Sequence, residues 1–344
     1  DRVRMYVNGV RETSFATGNY PAQNSDLQPI GIGSGTVHTI GAVGTSAYFD
    51  GSISHIHYCD GQALDATSFG ETDTTTGEWK AKTSPSVTYG TNGFFILKDS
   101  NSVTDQSGKG NNFTVGGGTL TNLKDNPDNV FATWNPLIKD VATLSNVNTT
   151  SNNTSSSNWN RASCTLADTK GKYYAEFKMT TIEASQVGII DIDQAYGTTA
   201  QPRDSSRAYM YKENGQKGNG GSDSSYGATY TDGDIIGVAV DLDNNKIYFS
   251  KNGVFQNSGV PTSGSTGTGS AFNLTDGYFY TFINGNYDSS GNGKIEANFG
   301  NGFFGTTAIT TNSGNGYSGA EGSSKFNYTV PTGYSALSTK GLNE

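Results

Sequence analysis

Short runs in which aromatic or β-branched residues alternate with polar ones recur along the chain, separated by clusters of Gly, Asn, Asp and Ser. A period of two places alternate side chains on opposite faces of a strand, so the pattern predicts many short strands and few helices. From Arg2 to Val7 polar and apolar residues alternate, Asn8-Gly9 supplies a type I′ turn, and Val10 begins the return strand. Further strands are expected over residues 37–40 and 47–58, around Trp79, and over residues 94–97 and 113–115. Residues 64–69 read as a single helical turn opened by Asp65. The stretch from Asp105 to Asn112 reads as a tight Gly/Asn loop. Residues 145–158 are almost all Ser, Thr or Asn, a composition that suits a flexible linker and polar edge strands equally.

From Trp159 onward the alternation sharpens. Tyr173, Ala175, Phe177 and Met179 interleave with Tyr174, Glu176 and Lys178, and residues 187–192 form a nearly continuous apolar run. Another runs over residues 235–242, entered by Asp232-Gly233-Asp234. Asn244-Asn245 turns the chain into residues 246–250, Lys251-Asn252-Gly253 turns it again, and residues 278–283 and 295–299 complete the set. Strands at this spacing predict an antiparallel sandwich or jelly roll, so the fold class is all-β, with two such units in series.

Composition narrows the picture. A chain of 344 residues has room for two domains. Only 33% of it is hydrophobic, but 19 Tyr and 17 Phe bury large areas each, so a core is assembled from few residues. The net charge of −9, with 15% charged residues, speaks against nucleic-acid binding, which draws affinity from basic patches. It suits an uncharged glycan or another protein. No apolar run approaches the length of a membrane span, so no membrane insertion is expected. Cys59 and Cys164 lack CxxC spacing and read as free thiols in different domains, which leaves the redox compartment open. The chain opens without Met and already inside a strand-like alternation, and we expect a missing N-terminal part.

Two sets of motifs resemble known families. YTDGDIIGVAVDLDNNKIYFSKNGVF, from Tyr230 to Phe255, resembles the signature hairpin of SPRY domains. GKYYAEFKM, VGII, IEANFGNGFF and VPTGYSAL stand in the order of the flanking SPRY strands, and the resemblance covers roughly residues 160–340. VRMYVNGVRE and FDGSISHIHYCDGQAL resemble the second half of a laminin-G-like, concanavalin-type jelly roll, the latter its last strands. The continuation DATSFGETDTTTGEWKAK, YGTNGFFILKD, DQSGKGNNF and DNVFATWNPL resembles the run after such a module in structural proteins of marine bacteriophages. The resemblances imply a division into residues 1–69, the latter half of a truncated jelly roll, residues 70–143, a connector, and residues 144–344, a SPRY-like sandwich. They imply a phage virion surface protein, a tail fibre or a capsid or tail decoration, that attaches to a host-surface glycan or protein beside other virion proteins. A homotrimer follows from the fibre reading, since weak sites gain from multivalency. The alternatives are a secreted or cell-surface glycan-binding adhesin of a bacterium and a concanavalin-like glycoside hydrolase.

Candidate chemistry is sparse. Glycoside hydrolysis needs two carboxylates flanking the scissile bond. The nearest approaches, Asp191/Asp193 and Asp241/Asp243, contain Asp alone and read as carboxylates at strand ends. His55 and His57 share a strand face with Asp60 nearby, but no third ligand stands out; His38 is the remaining histidine. No GxSxG elbow is present. The chain is therefore expected not to be an enzyme and to need no cofactor. Calcium is the exception to weigh: the laminin-G resemblance implies an edge-loop site, and Asp99, Asp105 and Asn111 offer hard oxygen ligands. For ligand recognition the candidates are Tyr196, Tyr209, Tyr211, Tyr226 and Tyr230, in or beside the Gly/Ser-rich stretch 193–234, some of which belong to the core.

Overall fold

The computed structural model describes residues 4–18, 38–43, 47–49, 51–72, 74, 77, 79–98, 102–117, 120, 124–125, 129–140, 142–195, 200–309 and 318–343. Two compact units emerge, Asp1–Asn122 with Asn126–Asp128, and Leu123–Asp125 with Asn129–Glu344. The division thus falls near residue 125, in place of the expected boundaries after residues 69 and 143.

In the first unit, β1 (Tyr6–Val7) and β2 (Val10–Arg11) form the expected hairpin. Asn8 and Gly9 both have positive φ, 48° and 76°, as a type I′ turn requires. A Cβ on Gly9 would overlap the Trp79 ring, so glycine is needed for close approach as well. Next come β3 (Ile56–Tyr58), β4 (Gly70–Thr72), β5 (Trp79–Ala81) and β6 (Phe94–Ile96). β4 pairs with β5, while β3 pairs with β6 in the register His57↔Phe95. This last pairing is why no boundary falls after residue 69: the supposed end of a jelly roll and the supposed connector share one ladder. Between β3 and β4, Asp65 caps the turn Ala66–Ser68 by accepting from Thr67 N at 3.1 Å, as read from the sequence.

The second unit is a two-sheet sandwich. Its strands are β7 (Trp134–Lys139), β8 (Thr143–Ser145), β9 (Thr150–Asn152), β10 (Asn160–Cys164), β11 (Lys172–Thr181) and β12 (Ala184–Asp191). There follow β13 (Ala208–Lys212), β14 (Gln216–Asn219), β15 (Ser222–Ser225), β16 (Ile235–Asp241), β17 (Lys246–Lys251) and β18 (Val254–Phe255). β19 (Phe272–Asn273), β20 (Tyr280–Tyr287), β21 (Lys294–Asn298) and β24 (Ser335–Ala336) complete the set, while β22 (Phe303–Phe304) and β23 (Thr307–Ala308) pair only with each other. One sheet runs β15-β14-β13-β12-β20-β10-β7 and the other β18-β17-β16-β11-β21-β9-β8, with β19 beside β17 and β24 parallel to the start of β11. The all-β sandwich class holds.

Of the polar stretch 145–158, Ser145 and residues 150–152 lie in strands and the rest in turns and loop. β8 and β9 extend the second sheet, and Thr150 and Ser151 are fully buried in it. Alternation then assigns the faces. Phe177 and Val238 from one sheet meet Val187, Ile189 and Phe282 from the other, and Trp134 joins them, its ring centroid 5.0 Å from Phe299 and 5.8 Å from Phe177. Each such large apolar side chain contributes roughly 1.5–3 kcal/mol through burial.

The outer face of the second sheet is closed by the C-terminal segment, whose Phe326, Val330 and Tyr334 pack on Tyr174 and Tyr248. Glu176 lies beneath that segment with no exposure. Its carboxyl accepts from Asn327 N and Tyr328 N, both at 2.8 Å, and from Asn298 Nδ2 and Tyr174 OH, both at 3.3 Å. Burial pushes its pKa up to about 7 against the pull of those donors.

Candidate functional site

At one end of the first sheet, β12 leaves at Asp191, β13 enters at Ala208 and β20 enters at Tyr280; Asp191 stands opposite Tyr280 and Ile190 opposite Ala208. The loops between these strands therefore gather into one rim. Asp191 has only 1% exposure. It caps the turn Ile192–Gln194 and receives Arg207 Nε at 2.5 Å. That ion pair, a hydrogen bond first and then charge attraction, pushes the guanidinium pKa up. Arg207 N donates to Gln194 Oε1 at 2.9 Å, Asp191 N donates to Arg207 O at 3.1 Å, and Ile192 N donates to Phe279 O at 2.9 Å. The guanidinium carbon lies 4.2 Å from the Tyr278 ring centroid, a cation–π contact. Beside it Phe279 is 52% exposed. Neither Nη of Arg207 donates a hydrogen bond within the described residues.

The tyrosines singled out from the sequence lie beneath this surface instead of on it. Tyr196 falls outside the described residues. Tyr209, Tyr211, Tyr226 and Tyr230 are all buried, which corrects their reading as ligand contacts. The reason is the period of two on β13: Tyr209 and Tyr211 both point into the sandwich, against Phe272 and Tyr280 and against Phe249 and Tyr226. Their hydroxyls bond to the fold. Tyr209 OH accepts from Thr275 N at 3.1 Å, Tyr280 OH donates to Thr275 O at 2.8 Å, and Tyr211 OH donates to Ala228 O. Tyr230 OH sits 3.0 Å from Tyr211 O and 3.2 Å from Ser185 O. Burial pushes the Tyr226 pKa up to about 12. Tyr209 and Tyr280 thus hold the loop that presents Tyr278 and Phe279.

Three of the four carboxylates weighed for hydrolysis are engaged in the fold, and Asp193 is exposed in the turn that Asp191 caps. Asp241 accepts from Asn244 N at 3.0 Å and Nδ2 at 2.9 Å and pairs with Lys172 at 3.4 Å, while Asp243 accepts from Gly171 N at 2.9 Å. Asp191 serves Arg207, on the other sheet. In the first unit, Asp105 accepts from the backbone N–H of Phe95, Ser107 and Asn111, each at 2.9 Å. Asn111 Nδ2 donates to Thr91 O at 3.0 Å and Gly93 O at 2.8 Å. Partial burial opposes ionisation of Asp105, but these N–H donors outweigh it and hold its pKa below the usual range. The loop is closed by its own backbone donors, a role that its composition left open beside calcium binding; Asp99 lies outside the described residues. His57 Nδ1 bonds Tyr89 OH at 2.8 Å and its ring stacks on Phe95 at 3.9 Å, so this half-buried side chain is engaged in packing. Among the described residues no trio of His, Cys, Asp or Glu is placed to hold a metal. Cys59 and Cys164 are free thiols, one in each unit.

Sequence reasoning missed Arg207, Tyr278 and Phe279. The available signal was TDGYFYTF, where aromatics begin before the alternating strand does, so one of them must face outward.

Residues 172–285 match the family model of the SPRY domain, and the chain carries such a domain there. The match runs from β11 through most of β20 and includes all the rim residues; β7–β10, β21 and β24 lie outside it yet belong to the same two sheets. The solved SPRY domain of human HERC1 is similar, at 18% identity over 48% of this chain and 96% of that one, with a TM-score of 0.40. No curated protein matches the chain. The laminin-G-like and phage resemblances have no counterpart among these comparisons.

Proposed function

We propose that the SPRY domain over residues 172–285 is a non-catalytic recognition module, and that the rim built by Asp191, Arg207, Tyr278 and Phe279 engages a protein partner. The observation that carries this is Arg207, fixed by Asp191 on its Nε edge and by Tyr278 on its face, next to a half-exposed phenylalanine. Arginine and aromatic residues dominate interface energetics, and a side chain already held in place loses little freedom on binding. The guanidinium fork offers donors to carbonyl or carboxylate oxygens, and Phe279 offers apolar area. The wider setting, a phage virion surface with trimeric display toward a host, is proposed on the motifs of residues 3–64 and the run that follows them.

The test is a random peptide-display library screened with the full chain. Selected peptides should lose about 30-fold in affinity to Phe279→Ala with the unfolding midpoint unchanged, and at least as much to Arg207→Ala, whose midpoint falls because buried Asp191 loses its partner. Peptides that bind both variants as well as the parent would place the interface elsewhere. Capture by a glycan array with no peptide selected would overturn the choice of a protein partner.

A further inference from the structure

At the end of the sandwich away from the rim, the interior changes character. Along β20 the inward positions pass from Phe282 to Asn284 and Asn286, and along β10 from Ala162 to Asn160. All three asparagines have no exposure. Each uses half of its amide. Asn284 Oδ1 accepts from Ala162 N at 3.2 Å, Asn286 Nδ2 donates to Thr181 O at 3.3 Å, and Asn160 Nδ2 donates to Ser151 Oγ at 3.1 Å. The first two orientations are dictated by the partner, since a backbone N–H needs the oxygen and a carbonyl needs the nitrogen. What remains is Asn284 Nδ2, Asn286 Oδ1 and Asn160 Oδ1, three buried atoms with no hydrogen-bond partner.

We infer that these three atoms hold one internal water molecule. The register places Asn160 directly opposite Asn286, with Asn284 two residues along the same face. Cβ atoms at those positions lie about 5 Å and ~7 Å apart, a spread that one water spans with bonds of about 2.8 Å. The inventory matches: the water accepts from Asn284 Nδ2 and donates to Asn286 Oδ1 and Asn160 Oδ1. If Asn160 is turned, since Ser151 Oγ can either donate or accept, the water accepts twice and donates once. Both are the three-bonded state usual for buried water. Left dry, each orphaned atom would carry a full desolvation cost. The water joins β10 to β20 through side chains and so fixes their register where apolar packing runs out.

Two measurements on the unaltered full chain test this. A high-resolution crystal structure should show one water within hydrogen-bonding distance of all three atoms. In solution, the Asn284 side-chain NH2 should show cross-relaxation with a long-lived water. Density showing Asn284 Nδ2 bonded to Asn286 Oδ1 directly, or a dry site without cross-relaxation, overturns the inference; so does a water bound to fewer than all three.

Discussion

The two units solve the same problem, holding short strands together, by different means. Among the described residues, the only buried large apolar side chains of the first unit are Phe95 and Ile96, whereas the second buries a continuous core between two sheets and a smaller one under its C-terminal segment. The first unit relies on polar loops that close on themselves, such as the one around Asp105, and on a stack of His57, Phe95 and Tyr89. Apolar burial is additive over area, while a loop closed by hydrogen bonds gains only a modest net amount per bond. The lesson is that rigidity at the rim is supplied by the core under it. Arg207 and Phe279 stand on Tyr209 and Tyr280, which are themselves core residues.

The comparison is broken most severely from inside the sandwich. Phe177→Ala empties a site with no exposure among Trp134, Phe282 and Phe299 and should cost about 3–5 kcal/mol. Denaturant unfolding followed by hydrogen exchange should assign the loss to peptides of the second unit, with those of the first unchanged. A loss shared equally by both units would mean that they unfold as one.

Acid and base sharpen the contrast, because burial raises the pKa of carboxyls in the second unit, Glu176 and Asp125 among them, and lowers that of half-buried His57 in the first. Burial raises the pKa of Glu176 from its ordinary 4.5 to about 7, so the folded state binds the proton more tightly than the unfolded one. Its contribution is complete below pH ~4.5 and is lost as the pH rises through about 7, a difference of about 3 kcal/mol. Glu176→Gln, which cannot titrate, should remove that share of the decline, at a pH-independent cost because its NH2 faces N–H donors that a carboxyl oxygen accepts. His57 is pushed the other way, down to about 4 by burial and by its neighbour His55. Its contribution is present above pH ~6.5 and is lost as the pH falls through about 4, an effect His57→Phe should remove. Hydrogen exchange across pH 4 to 8 should show the first unit loosening at the acid end and the second at the basic end; parallel behaviour would refute both assignments.

How legible each region was follows from the same physics. The hairpin β16–β17 could be read residue by residue, because strict alternation is bounded by Asp232-Gly233-Asp234 and by Asn244-Asn245, whose second residue has φ 56°. In the first unit local signals also held: the Asn8-Gly9 turn and the Asp65 cap each depend on adjacent residues alone. What escaped was long-range. β3 meets β6 across a long intervening stretch with no pattern to announce it. β9 is polar yet buried at Thr150 and Ser151, and hydropathy cannot report a strand whose polar groups are satisfied inside. The tyrosines of β13 were visible as residues but not as a face, since the Gly/Ser-rich sequence around them hides where the strand begins. Arg207 and Tyr278 come together only through the pairing of β12 with both β13 and β20.

The mildest test lies in the first unit and concerns how much a closed polar loop is worth. Asp105 ties residues 95, 107 and 111 together through three backbone N–H groups and also accepts from Ser107 Oγ at 2.9 Å. Asp105→Ala leaves those donors to find water, and because the loop is largely open to solvent most of them will. The expected cost is therefore that of a lost cap, about 1–2 kcal/mol, confined to exchange of the Phe95, Ser107 and Asn111 amides and their neighbours. Asp105→Asn, which keeps one acceptor oxygen, should recover part of it. If Asp105→Ala instead unfolded the first unit entirely, the carboxylate would be its keystone, and the contrast with the apolar sandwich would be greater than apolar burial alone implies.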